Sequence, residues 1–421
     1  MTMNGRVVAA AVAAALFAAA LVALFSRPGA PAGDEIPAGY ALASVGFERV
    51  DFSELEGWDG DDAAASLRSF RLSCAQYADK PADAAFGADP RFGRIGDWLA
   101  ACAAASSVPS AGARAFFEGA FAPVRLIETY EAGAGAPRDR GPVARRRGLV
   151  TGYFEPIYPG AVSPDDVYAA PALERPADLV TVDLGRFRNA LSGERIAGRV
   201  VDGRLEPYPS RAEINGGALS ARATALAYLR PTDLFFLQIQ GSGRVDVPGR
   251  KPMRLGYDGQ NGWPYRAIGR DLIEQGALTR ENVTMASIRD WLDAAEPAMA
   301  RAMRERNASY VFFRELDDLP DPSLGPLGAQ GAQLTPRRSL AVDRRWIPLG
   351  APVWLAFEEA PIDADLGGLY VAQDVGGAIR GPLRGDVFIG AGDAAGALAG
   401  RLKARASFVV FVPRASLGDA A

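Results

Sequence analysis

Between residues 368 and 396 the chain reads GLYVAQDVGGAIRGPLRGDVFIGAGDAAG, and no other stretch limits its possible folds as much. Short apolar runs alternate with glycines, a pattern that reads as brief strands joined by tight turns. Three aspartates, Asp374, Asp386 and Asp393, stand in that glycine frame. The chain contains no histidine. Acid–base chemistry must therefore use a carboxylate, a tyrosine or a thiol, and a Ser-His-Asp triad is excluded.

After Arg6 the segment Val7–Phe25, VVAAAVAAALFAAALVALF, carries no charge. At about 1.5 Å per residue it is long enough to span a bilayer core. It also fits the apolar core of a signal peptide, with Ala30 and Ala32 as a cleavage site interrupted by Pro31. On either reading the remainder is exported, and the chain is membrane-associated if the segment is retained. No cysteine near this point offers a lipid attachment site. Export makes a disulfide between Cys74 and Cys102 expected, stapling two helix-like segments, SLRSFRLSCAQYA and RIGDWLAACAAA. Two thiols without an imidazole are a poor metal site, so no metal and no cofactor are expected. A net charge of −4 argues against a nucleic-acid partner. The dense basic run Arg138, Arg140, Arg145, Arg146 and Arg147 reads as a solvated surface segment.

Residues 26–40 read as a tether, and residues 62–122 show helical periodicity. A Gly/Pro/Arg linker is expected over 131–148. From Leu149 the pattern changes to short strands, among them LVTGYF, DLFFLQIQGSGRV, APVWLAFE, LYVAQD, DVFIG and ASFVVFVPR. Helical signals recur at 211–229, 265–275, 286–305 and 394–405, and proline-rich breaks at 159–171 and 319–336 bracket a middle region. The chain reads as mainly β with peripheral helices.

In DVFIG, Asp386 projects opposite to Val387 and Ile389, and Leu383 and Phe388 are near enough in sequence to shield its carboxyl. Such surroundings raise a carboxyl pKa and keep a proton available. Asp374 ends a strand before Gly376 and Gly377, and either an Asx turn or a catalytic role fits it. Those glycines allow close backbone approach or positive φ. Asp393 precedes an Ala-rich helix and reads as its N-cap. In DLFFLQIQGSGRV, read as a strand, Gln238 and Gln240 share a face with Phe236 and suit sugar hydroxyls, although an exposed polar sheet face fits too. LVTGYFEP, with Tyr153, and LGYDGQNGWPYRAIGRDLI, with Asn261, carry aromatics beside polar groups at turns. Ordinary turn chemistry with aromatic core anchors is the simpler account of both.

Together these segments resemble the membrane-bound lytic murein transglycosylase A family. The resemblance runs through LVTGYFEP, PYPSRAEI at 207–214, FFLQIQGSGRV, GYDGQNGWPYRAIG, SLAVDRRWIPLG at 339–350, and VAQDVGGAIRGPLRGDVFIGAGDAAG, in order over about residues 145–415. The last is similar to the family's "3D" module, named for three aspartates. The resemblance implies a double-psi β-barrel with an inserted second β-domain and a glycan groove between them, plus N-terminal helices. Its expected divisions are an anchor and tether over 1–35, helices and the first part of the barrel over 36–165, the insert over 166–320, and the module over 321–415. The family's catalytic aspartate falls on Asp386, with Asp374 and Asp393 flanking it. Substrate contacts are expected from Tyr153, Gln238, Gln240 and Asn261.

The activity implied is non-hydrolytic cleavage of the β-1,4 bond between N-acetylmuramic acid and N-acetylglucosamine, in the periplasm. One aspartate would serve as acid and then base, leaving 1,6-anhydro ends. Peptidoglycan strands would be the partner, and a monomer is expected. A two-carboxylate hydrolase using Asp374, or a non-catalytic glycan-binding module, are the alternatives.

Overall fold

The computed structural model describes residues 36–133, 141–191, 194–316, 319–358 and 366–417. The N-terminal apolar segment, its candidate cleavage site, and Arg138 and Arg140 lie outside these residues. The chain divides into two compact units, one built from residues up to Glu155 and again from Leu319, the other from Pro156 to Asp318.

The first pass through unit 1 lays down strands β1 (Tyr40–Arg49), β2 (Phe121–Ala132), β3 (Val143–Arg145) and β4 (Arg147–Glu155). Between β1 and β2 come helices α1 (Ala63–Cys74), α2 (Ile95–Ser107) and α3 (Ala113–Ala120). Unit 2 holds β5 (Ile157–Ala161), β6 (Ala170–Leu173), β7 (Val180–Asp183), β8 (Arg195–Val201), β9 (Arg204–Pro207), α4 (Arg211–Asn215) and β10 (Ala225–Leu229). It continues with α5 (Pro231–Gln240), β11 (Ser242–Asp246), β12 (Met253–Gln260), α6 (Ile268–Glu274), α7 (Met285–Ala294), α8 (Pro297–Glu305) and β13 (Val311–Glu315). The chain then returns to unit 1 with β14 (Ser339–Val342), β15 (Pro352–Phe357), β16 (Gly368–Asp374), β17 (Arg384–Ala391), α9 (Gly392–Arg401) and β18 (Lys403–Pro413).

In unit 1 the order β18-β15-β16-β14-β17-β4 closes on itself through the pairing of β18 with β4. This is the double-psi β-barrel, with the pairs β14–β16 and β17–β4 parallel and the other ring pairs antiparallel. Closure removes the sheet edges that an open sheet would expose. Leu340, Val342, Val353, Leu355, Leu369, Val371, Val387 and Val410 are fully buried. Side chains of this size contribute roughly 1.5–3 kcal/mol each on burial. Helix α1 begins where Asp62 accepts a 3.0 Å bond from the Ala65 amide. It buries Leu67 and Phe70 in the same core as the barrel strands. Cys74 and Cys102 are joined, tying the end of α1 to α2 as expected.

Unit 2 has a six-stranded sheet, β13-β12-β11-β5-β10-β6, and a three-stranded one, β7-β8-β9. Strand β5 pairs with β10 and β11, so the first unit ends at Glu155 and not near residue 165.

Several local expectations are corrected. Residues 231–240 of the DLFFLQIQ stretch form a helix, not a strand, and only β11 follows it as strand. Pro231 pre-sets the first turn, where no amide donor is needed, and Gly241 caps the end with φ 79°. Leu234 through Ile239 are all buried, so the helix lacks the polar stripe that would reveal its period. The helical signal at 211–229 resolves into the short α4, a turn region and β10. The linker expected over 131–148 is shortened, because β3 pairs with β2. There Arg145 leaves the solvated run to meet the buried Glu128 and the ring of Tyr130.

Candidate active site

Three strand pairings assemble the site in unit 1. Parallel pairing of β17 with β4 sets Asp386 beside Thr151 and Phe388 beside Tyr153. Strand β14 lies between β17 and β16, and its Ala341 is the register partner of both Asp386 and Asp374. The two aspartates therefore sit on either side of one residue, with Cα atoms about 10 Å apart at two strand spacings. Gly152 lets α9 close over β4, since a Cβ there would come within 2.9 Å of the Ala399 Cα.

Around Asp386 the donors are few. Thr151 Oγ1 donates to its Oδ1 at 2.6 Å. Arg384 Nη2 donates to Thr151 Oγ1 at 2.8 Å, and Nη1 reaches the carbonyls of Leu149 and Gly385. The Oδ2 of Asp386 has no donor among the described residues, and the residue keeps an exposed edge. Burial of the carboxyl pushes its pKa up to about 6. The Arg384 charge and the Thr151 bond oppose that rise, and the Asp374 charge adds to it. Burial in turn holds the Arg384 guanidinium below its ordinary value, with Asp386 acting against the shift.

Asp374 is surrounded by donors. Tyr153 donates its hydroxyl to Oδ2 at 2.9 Å, and the amides of Ala329 and Val375 each donate to Oδ1 at 2.9 Å. Burial raises its pKa against these three bonds. Tyr153 is pushed well above its ordinary value, first by burial and then by the charge of Asp374, so it remains a donor. Its ring lies 5.3 Å from that of Phe388. Gly376 acts through packing: a Cβ there would meet Ile379 Cγ1 at 2.6 Å.

The remaining candidates fall elsewhere. Asp393 is exposed in the first turn of α9, whose N-cap is Ala391, so the expected N-cap role is corrected. Its charge still favours the helix N-terminus. Gln238 is 2% exposed, accepts from Arg211 and donates to the Val311 carbonyl. Asn261 is 1% exposed, donates to the Pro209 and Ala308 carbonyls and accepts from the Tyr310 amide. Both amides hold backbone segments of unit 2 together and offer no surface to a ligand. Gln240 is partly exposed and donates to Met285 Sδ at 3.3 Å. Thr151 and Arg384 went unrecognised in the sequence. Each stands two residues from a recognised site residue on the same strand, hence on the same face, and that spacing was the available signal.

No group of three or more Cys, Asp or Glu side chains placed to hold a metal occurs among the described residues. No helix among them is long and apolar enough to cross a membrane.

A family model described as the MltA specific insert domain matches residues 149–314, and one described as the 3D domain matches 338–412. The membrane-bound lytic murein transglycosylase A of Escherichia coli (strain K12) is 38% identical over 206 residues, covering 47% of this chain and 53% of that protein. The chain thus spans about half the length of the curated relatives it matches first. The crystal structure of MltA from Neisseria gonorrhoeae is similar with a TM-score of 0.72 and 32% identity, covering 92% of this chain and 96% of that one. The structure of E. coli MltA with bound chitohexaose is similar with a TM-score of 0.52 and 25% identity, covering 88% and 92%.

Proposed function

The chain belongs to the MltA family, and from that premise we propose that it is a peptidoglycan lytic transglycosylase with Asp386 as its acid and base. The carrying observation is the state of one carboxyl: Asp386 is raised to about 6 by burial, and its Oδ2 has no donor among the described residues. A protonated Oδ2 suits donation to the departing O4 of N-acetylglucosamine. Charge then builds on the muramic ring as an oxocarbenium-like species. The new Asp386 carboxylate is stabilised by the Thr151 hydroxyl and the Arg384 charge. It next accepts the proton of the muramic C6 hydroxyl as that oxygen bonds to C1. The proton returns to Asp386, no water is consumed, and a 1,6-anhydro end results. A single carboxylate suffices because the nucleophile is already held in the substrate.

A hydrolase would need a second carboxylate to activate water. Asp374 has both oxygens engaged by three donors, which compete with a water for them and favour a role in shaping the Asp386 site. The glycan as ligand agrees with the chitohexaose bound by the E. coli relative. Export through the N-terminal segment would place the chain in the periplasm, tethered if that segment stays, and acting as a monomer.

Digestion of purified peptidoglycan tests the reading. Soluble muropeptides one water lighter than hydrolysis products, and absent with Asp386→Asn, are expected. Ordinary reducing ends would move Asp374 into a catalytic role. Unchanged glycan length with a folded, glycan-binding protein would make the chain a binding module.

A further inference from the structure

Among the buried polar groups of unit 1 that the mechanism does not use, one amide stands beside the site. Gln373 immediately precedes Asp374 on β16 and is fully buried. Its amide is saturated. Oε1 accepts from Ser69 Oγ at 3.0 Å and from Ser339 Oγ, while Nε2 donates to the Ser69 carbonyl at 3.0 Å and to Ser73 Oγ at 2.9 Å. Ser69 and Ser73 belong to α1 and are themselves fully buried.

The network continues to the other side of the strand. Ser73 Oγ donates to Gln330 Oε1 at 2.8 Å, and the Gln330 backbone N–H donates to the Gln373 main-chain carbonyl at 3.0 Å. Residue 329, next in the chain, supplies the amide that holds Asp374 Oδ1. Successive strand residues face opposite ways, so Gln373 points into the α1 interface while Asp374 points to the site. An apolar side chain would fill the same volume without the desolvation of four polar groups. Their mutual satisfaction fixes how the last residues of β16 are turned and where the 329–330 segment sits. The adjoining Cys74 is bonded to Cys102, which anchors the last turn of α1.

We propose that Gln373, held by Ser69 and Ser73 of helix α1, is a positioning residue that sets the orientation of the Asp374 carboxyl. Its effect on turnover rests on the reaction proposed above. Its effect on Asp374 does not. The titratable groups facing Asp374 are Tyr153 and Asp386.

The test compares Gln373→Met with a combined Ser69→Ala, Ser73→Ala, Ser339→Ala and Gln373→Met variant, which removes Gln373 together with its three serine partners and leaves only Gln330 Oε1 and the Thr335 amide short of a partner. Folding is followed by circular dichroism, the Asp374 carboxyl by carbon NMR titration, and turnover on peptidoglycan by release of soluble fragments. In folded protein kcat is expected to fall about tenfold, within the range for a misplacement of an ångström or less, with KM unchanged. The Asp374 midpoint is expected to rise as the Ala329 amide loosens. A folded combined variant with wild-type kcat and an unmoved Asp374 titration would overturn the proposal. So would a loss of activity that only tracks the unfolded fraction. If wild type makes no anhydro ends but the Asp374 titration still moves in the variants, the positioning role stands and the proposed reaction fails.

Discussion

Asp386 in the barrel keeps an exposed edge and Asp271 in unit 2 is buried, and their surroundings treat them oppositely. Asp271 is held by Arg266 and Arg306, whose hydrogen bonds lower its pKa against the effect of burial. Asp386 has a threonine hydroxyl and one oxygen without a donor among the described residues, and burial prevails, raising it to about 6. In unit 2 charge is neutralised to hold a fold. At Asp386 burial shifts the carboxyl toward its protonated form. The two aspartates are thus told apart by their donors, and the less exposed of them is the neutralised one.

The sharpest way to break this contrast is to remove each carboxyl. Asp386→Asn is expected to lower turnover by roughly 10³-fold or more, within or above the usual range for a lost acid–base group, and to leave the fold intact. A folded variant with near-normal release of anhydro-muropeptides would end the assignment. Cys74→Ser with Cys102→Ser removes a cross-link over a separation of 28 residues. The loss is expected to be about 3–4 kcal/mol, confined to unit 1 and read as a lowered first transition in calorimetry. Equal lowering of every transition would show that the staple serves the whole chain.

Within unit 2, Asn261→Ala should cost about 2 kcal/mol of stability by leaving two carbonyls and an amide unpaired, without changing KM. A raised KM at unchanged stability would return Asn261 to the ligand. Asp271→Asn belongs to the same class, at about 1–3 kcal/mol, because its partner arginines are half exposed and can be solvated.

The smallest effect has opposite signs in the two units. Asp386 is raised above its ordinary 3.8, so its contribution is favourable at low pH and is lost as pH rises from about 4 to about 6. At about pH 8, Asp386→Asn should therefore be more stable than wild type by about 1–2 kcal/mol while inactive. Asp271 is depressed, so its contribution is present above the ordinary carboxyl range and is lost as pH falls through its folded value. Thermal melts of Asp271→Asn across pH should converge on wild type at the acid end. Parallel pH dependences for the two variants would erase the contrast.

Much of the site was legible because strand alternation is local. DVFIG places Asp386 opposite Val387 and Ile389, and LYVAQD places Asp374 at a strand end, from spacing alone. Tyr153 could be named from its aromatic-rich strand. The backbone partners of Gln238 and Asn261 were not legible, because an amide beside an aromatic looks the same whether its partner is a sugar or a carbonyl from a residue 73 positions away. The helix of 231–240 was missed because burial on every side erases its period.

By itself the sequence determined the mainly β character, the helices before the barrel, the absence of imidazole chemistry and the aspartates to be tested. The tertiary structure alone decided that Thr151 meets Asp386 across 235 residues, that Tyr153 meets Asp374 across 221, and that Gln373 meets Ser69 across 304. The physical reason is barrel closure. Parallel pairing of β17 with β4 and of β14 with β16 brings distant strands into register, and the burial that follows sets which carboxyl is shifted toward its protonated form.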